Sequence, residues 1–223
     1  MIVNSRFIII CLYQLFLVFW VPASGHSGEN QSTACIEEWC FLVAQPPSAW
    51  PSHNVKNTFP LEEKTGISLQ IPKGFEKIYR VNNLFIFSYE NKKSTISFEE
   101  ISKETMPELP NDTCMSVKDV AHAIFTKTPK DPDPGCPNLW QWAMQSKSVY
   151  FRKDVPVFTA NKSSLTVYYH SSKDKFDPLK AGSLAVVVNE KRPESFLVIR
   201  TVGFSSNQFK NIIGTIIEVT RGG

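Results

Sequence analysis

Apolar residues in this chain recur with period two in paired runs and with helical spacing between and after them, an order that restricts the fold to an antiparallel sheet covered by helices. Ile67, Leu69 and Ile71 alternate with Ser68 and Gln70, as in a half-buried strand, and Pro72-Lys73-Gly74 ends the run. Leu84–Glu90 then meets Ser94–Ser102 across Asn91-Lys92-Lys93, a hairpin signal. Ser116–Thr126 reads as a helix, with Val117, Val120, Ala121, Ile124 and Phe125 on one face and Ser116 and Asp119 spaced as an approximate capping box. A proline-rich loop (TPKDPDPGCP) leads to a second helical stretch, Asn138–Ser148, carrying Leu139, Trp142 and Ala143. Three strands follow: Ser164–His170, Ser183–Asn189 and, after a turn through Glu190–Glu194, Ser195–Val202. The closing segment Asn207–Val219 reads as one amphipathic helix, since Phe209, Ile212, Ile213, Ile216 and Ile217 fit the helical template, with Ser205 or Ser206 as cap. The element order predicts an α+β fold: an antiparallel sheet of about six strands with helices against it.

The N-terminus addresses the compartment. Arg6 precedes an apolar run from Phe7 to Val21, followed by Pro22 and the small residues Ala23, Ser24 and Gly25. A weakly basic start, an apolar core and a small-residue end describe a signal peptide over residues 1–25, cut after Ala23 or Gly25. An uncleaved anchor is the alternative, but the run falls short of the ~20 apolar residues that cross a bilayer. Export to a periplasm or to the exterior is expected, with no membrane span after cleavage. Residues 26–60 read as an irregular lead-in pinned by a disulfide, with a short helix conceivable at 35–44. Residues 61–223 read as a single domain, in keeping with a chain that is 42% apolar.

Cysteine usage agrees with export. Of five cysteines, Cys11 lies in the apolar run, which leaves Cys35, Cys40, Cys114 and Cys136. Four cysteines in an oxidising compartment favour two disulfides, with three possible connectivities. The nearest-neighbour pairing, Cys35 with Cys40 and Cys114 with Cys136, is preferred because each bridge closes a segment with little regular structure. The rival, a four-thiolate zinc site, would show tight C-x2-C pairs that are absent here.

Composition and motifs exclude several classes. Without Arg6 the chain carries 23 basic and 21 acidic residues (24 basic less one, against 21), so no basic face calls for nucleic acid. Neither a G-x-S-x-G elbow nor a phosphate or dinucleotide loop occurs. Asp131 and Asp133 lack the register of a calcium loop and read as part of a rigid proline turn. No catalytic, metal or cofactor residues are assigned, and no cofactor is expected. His170, beside Tyr168 and Tyr169, is the best-placed histidine for an enzyme site. Trp39, Trp50, Trp140 and Trp142 fall in irregular or loop-flanked segments near cysteines. They read either as a second small core or as a binding surface, because tryptophan is enriched at hot spots. N-x-[ST] triplets occur at Asn30, Asn111 and Asn161.

The strand "GISLQIPKGF", the following hairpin, the middle helix, the second set of strands and the terminal amphipathic helix together resemble the PsbP-like group, which includes periplasmic DcrB-like proteins. The resemblance covers roughly Gly66–Val219 and is strongest over Ile67–Phe75; the cysteine-bearing segment and the DPDPG loop depart from it. It implies an α/β/α sandwich in a non-enzymatic accessory or assembly protein. The expected function is therefore binding of another exported or envelope protein. An enzyme with a non-local site near Tyr168 and His170, or a carrier of an apolar ligand held between sheet and terminal helix, are the alternatives.

Overall fold

A computed structural model describes residues 35–54, 58–63, 65–89, 94–105, 114–171 and 182–219. The apolar run 7–21, the sequons at Asn30 and Asn111 and the Asn91-Lys92-Lys93 turn lie outside these residues. After a 3-10 turn at Glu38–Phe41 come β1 (Pro47–Ser48), β2 (Thr58–Glu63), β3 (Ile67–Pro72), β4 (Phe75–Val81), β5 (Leu84–Tyr89) and β6 (Thr95–Ser102). Helices α1 (Val117–Thr126) and α2 (Pro137–Tyr150) follow, then β7 (Phe158–Lys162), β8 (Leu165–Ser171), β9 (Ser183–Asn189) and β10 (Ser195–Val202). Helix α3 (Ser206–Gly214) and β11 (Ile217–Glu218) close the chain. The fold is mixed α+β.

Among the described residues the main sheet has eight strands in the order β1-β7-β8-β9-β10-β6-β5-β4, more than the six expected, and a second sheet has the order β11-β3-β2. Apart from the short parallel contact of β1 with β7, neighbours pair antiparallel. Two strands carry no alternating signal in sequence. β4 (FEKIYRV) is exposed along most of its length, and β7 (FTANK) is short and partly polar; neighbours rather than local pattern place them. β1 and the start of β2 lie in the stretch read as irregular, and β3 belongs to the small sheet rather than the large one.

Period-two alternation in the central strands makes two cores, one on each face of the large sheet. On one face Tyr168, Leu184, Val186, Val188, Phe196 and Val198 pack with the apolar sides of α1 and α2. On the other, Val167, Ala185, Val187, Leu197 and Ile199 pack with Ile67, Leu69 and Ile71 of β3 and with Phe209, Ile212 and Ile213 of α3. Burial on both faces explains the near-continuous apolar run of β9, whose residues are all buried.

The helices begin as their sequences dictate. Ser116 Oγ accepts from the Asp119 N–H at 3.1 Å and Asp119 Oδ2 accepts from the Ser116 N–H at 3.1 Å, a complete capping box. Ser205 and Gln208 repeat the device at α3. Helix α2 starts with Pro137 in its first turn, where a missing N–H costs nothing, and runs past Ser148 to Tyr150. The terminal helix is shorter than its periodicity predicts. It stops at Gly214, and the chain re-enters as β11, so Ile216 is buried while Ile217 is 49% exposed. A Cβ at position 214 would sit 2.6 Å from the Pro51 carbonyl oxygen, so close passage of residues 51–52 demands glycine there.

Candidate functional site

Both disulfides have nearest-neighbour connectivity. Cys35 pairs with Cys40, and Cys114 pairs with Cys136. The first bridge begins a stretch, 35–48, that is fastened to the body by four polar contacts. Lys147 Nζ of α2 donates to the Leu42 carbonyl. The Ala44 N–H donates to the Phe125 carbonyl at 2.8 Å, and the Gln45 N–H to the Val157 carbonyl at 2.8 Å. Ser48 Oγ donates to the Thr159 carbonyl at 3.1 Å. Leu42 and Ala44 turn inward against the helical core. The alternate residues turn outward: Phe41 is 42% and Val43 45% exposed, and Ile36 beside the bridge is 81% exposed.

Two open clefts flank helix α1, one of them next to this stretch. One, of about 280 Å³, is lined by Val43, Pro46, Pro47, Thr126, Thr166 and Tyr168 among others. The other, of about 330 Å³, lies between α1 and the DPDPG loop, with His122, Thr126, Lys127, Asp131, Asp133 and Trp140 on its walls. Thr126 belongs to both.

A chain of hydrogen bonds runs between the clefts. Tyr168 Oη lies 2.7 Å from His122 Nδ1, and His122 Nε2 lies 2.8 Å from Glu190 Oε1. Lys118 Nζ reaches Glu190 Oε2 at 3.2 Å. Burial pushes the Tyr168 phenol well above its ordinary range, and the Glu190 charge adds to the shift. Tyr168 Oη and Glu190 Oε1 thus take up the two ring nitrogens of His122 in either tautomer. Phe125 stacks on Tyr168 at 4.4 Å and fixes the ring. Both imidazole nitrogens are used within this chain, so the arrangement orders α1 over β8 and offers no ring nitrogen to a substrate. Sequence reading passed over His122 because its partners arrive from β8 and from the β9–β10 turn, 46 and 68 residues away.

His170 does not join Tyr168 in a site. It lies on the same face of β8 two residues on, is 2% exposed, and lines neither cleft. Its Nδ1 has no hydrogen-bond partner among the described residues, and burial, with the Arg152 charge as a lesser cause, lowers its pKa to about 4. Tyr168 instead bonds to His122.

The tryptophans are divided by the sheet. Trp140, 9% exposed, belongs to the helical-face core, and Trp142 packs against it. Trp50 packs on the opposite core, where its Nε1 donates to the Gly214 carbonyl at 3.3 Å and Lys162 Nζ sits 5.6 Å from its ring. Trp39 is half-buried in the 3-10 turn. The four form no single patch.

The carboxylates of the DPDPG loop are engaged in turns. Asp131 Oδ2 accepts from the Thr128 N–H at 3.1 Å and hydroxyl at 2.9 Å, bonds that lower its pKa. Asp133 Oδ1 accepts from the Gly135 N–H at 3.0 Å. Among the described residues no group of three or more His, Cys, Asp or Glu side chains converges to hold a metal ion. Among the same residues no helix is long and apolar enough to cross a membrane.

No protein-family model matches this sequence, and no curated protein matches it. Among solved structures, the chain is similar to the solution structure of cyanobacterial PsbP (CyanoP) from Synechocystis sp. PCC 6803, with 9% identity and a TM-score of 0.39 over 74% of this chain and 94% of that one.

Proposed function

We propose that this chain is an exported, non-enzymatic accessory protein of PsbP-like type, which binds another exported or envelope protein through the stretch 35–48. One observation carries the reading: Ile36, Phe41 and Val43 are held out to solvent on backbone that a disulfide and four polar contacts to the body keep in place. Exposed apolar side chains on fixed backbone lose little entropy when a partner covers them, which is the condition for an efficient binding surface. The adjoining cleft at Val43, Pro46 and Pro47 extends the same surface. Residues 1–25 act as the signal peptide in this reading, and the two disulfides suit the oxidising compartment it leads to.

The alternatives have less support. Near Tyr168 and His170 the histidine is sealed in the core, and the phenol is committed to His122. The space a carried apolar ligand would need, between sheet and α3, is filled by Phe209, Ile212 and Ile213 at 0–1% exposure.

A photo-crosslinking residue placed at Phe41 in producing cells tests the proposal. A discrete adduct with one envelope or secreted protein is expected, weakened by Ile36→Ser with Val43→Ser. The same probe at exposed Lys73 serves as control. No adduct at Phe41, or an equal yield of the same adduct at Lys73, overturns the assignment.

A further inference from the structure

Strand β4 ends the eight-stranded sheet, and among the described residues nothing pairs with its outer side. Ile78 is 53% and Tyr79 41% exposed on it. The geometry points to a second copy of this chain as the occupant of that edge, joined antiparallel with Ile78 on the two-fold axis.

The backbone fixes which groups are available. A two-residue turn, Asn82-Asn83, with Asn82 at φ 54°, joins Val81 to its partner Leu84. The pair that closes such a hairpin is hydrogen-bonded, so Val81, Tyr79 and Lys77 direct their N–H and C=O groups to β5. Arg80 and Ile78 direct theirs outward. Antiparallel self-pairing centred on Ile78 brings the outward groups of the two Ile78 residues together and sets the Arg80 side chain across from Glu76 of the second copy.

Side chains agree with that register. Phe75-Glu76-Lys77-Ile78-Tyr79-Arg80-Val81 is self-complementary about its centre. Glu76 faces Arg80 twice, Lys77 faces Tyr79 twice, Phe75 faces Val81, and the exposed Ile78 faces itself. Registers centred on Lys77 or on Arg80 would set like charges opposite one another, which is destabilising. Arg80 is already steadied for the contact, with its guanidinium 5.1 Å from the Phe85 ring. The register shift between Phe75 and Lys77 bends the strand at Glu76; such bulges commonly end a pairing. The joint is thus short, and a weak, reversible dimer is the form it takes.

Sedimentation equilibrium of the purified protein over a range of concentrations decides the matter. A monomer–dimer equilibrium is expected. Glu76→Arg and Arg80→Glu should each weaken it by about tenfold or more, as two opposite-charge pairs become like-charge pairs. The two changes together should restore association to near the wild-type value, which a loss of folding could not do. Ile78→Pro removes an outward N–H without touching the ladder to β5, so it should abolish the dimer while far-UV circular dichroism is unchanged. A monomer at every soluble concentration, a dimer indifferent to Ile78→Pro, or a charge swap that fails to restore association would each overturn the proposal.

Discussion

The Lys147 ammonium donates to the Leu42 carbonyl from a fully buried position, with the Phe151 ring 5.0 Å from its nitrogen. A charged amine with one carbonyl acceptor is an expensive way to fasten a loop, because burial penalises the charge.

Burial lowers the Lys147 pKa from 10.5 to about 8, with Asp131 acting weakly in the opposite sense. Between those two values the unfolded chain binds more protons than the folded one, so stability should rise as pH climbs from about 8 to 10.5. Lys147→Met keeps the length of the side chain and removes the proton. Urea melts of the variant should show a flatter alkaline limb than wild type, and limited proteolysis should cut residues 35–48 sooner. Parallel limbs for the two proteins would show that the amine is not buried as a charge.

His170 carries the acid-side counterpart. Its pKa falls from 6.5 to about 4, chiefly through burial. The native state holds it neutral while the unfolded chain protonates it, so its contribution is whole above pH 6.5 and is lost as pH falls towards 4. The full difference is about 3 kcal/mol, at ~1.4 kcal/mol per pKa unit. His170→Leu removes the proton and the unpaired Nδ1. Chemical denaturation at pH 7 and pH 4.5 should therefore differ less for the variant than for wild type. An equal acid sensitivity in both would place the responsible group elsewhere.

Adjacent isoleucines near the C-terminus should respond unequally. Ile216 is 0% exposed, and its truncation to alanine should cost about 2–5 kcal/mol, as large-to-small core changes do. Ile217 points outward on β11, and Ile217→Ala should cost under about 0.5 kcal/mol. Two large losses in thermal or urea melts would mean that the helix continues through both.

That pair shows how far local pattern reaches. The capping box at Ser116, a serine cap at 205 or 206 and the β9–β10 hairpin were legible because their causes lie within a few residues. The close passage of Pro51 and Ser52 beside Gly214 was not, because it joins residues more than 160 positions apart (214 − 52 = 162). Strand β4 was illegible for another reason: an exposed edge buries no face, so it needs no alternation. The Tyr168–His122–Glu190 chain is assembled from a helix, a strand and a turn, and no spacing in one sequence encodes it.

Gly214→Ala tests that long-range approach directly. Its Cβ would meet the carbonyl oxygens of Pro51 and Ser52 at 2.6 and 2.9 Å, and a backbone carbonyl cannot rotate aside as a side chain can. The Trp50 bond to the Gly214 carbonyl would shift with it. Overpacking of this kind costs about 1–3 kcal/mol, whereas alanine for glycine in an open helix would stabilise. A rise in melting temperature would show that residues 51–52 do not pass there.

The two disulfides should differ in what they stabilise. Cys114–Cys136 spans 22 residues and encloses all of α1, whereas Cys35–Cys40 spans five. Chain-entropy arguments give the longer loop about 3 kcal/mol and the shorter about 2 kcal/mol. Cys114→Ala with Cys136→Ala should thus move the global urea midpoint further, since it frees α1 from the start of α2. Cys35→Ala with Cys40→Ala should act mainly near its own site. The bonds from Lys147, Ala44, Gln45 and Ser48 still hold the end beyond Leu42, so proteolysis should begin between residues 35 and 41 while the body stays resistant. Contact at Phe41 should weaken in the same variant if the partner reads fixed backbone there, and stay unchanged in the Cys114–Cys136 variant under conditions where that protein is folded. A larger global loss from the short bridge than from the long one would mean that the 35–48 stretch belongs to the cooperative core and does not ride on it.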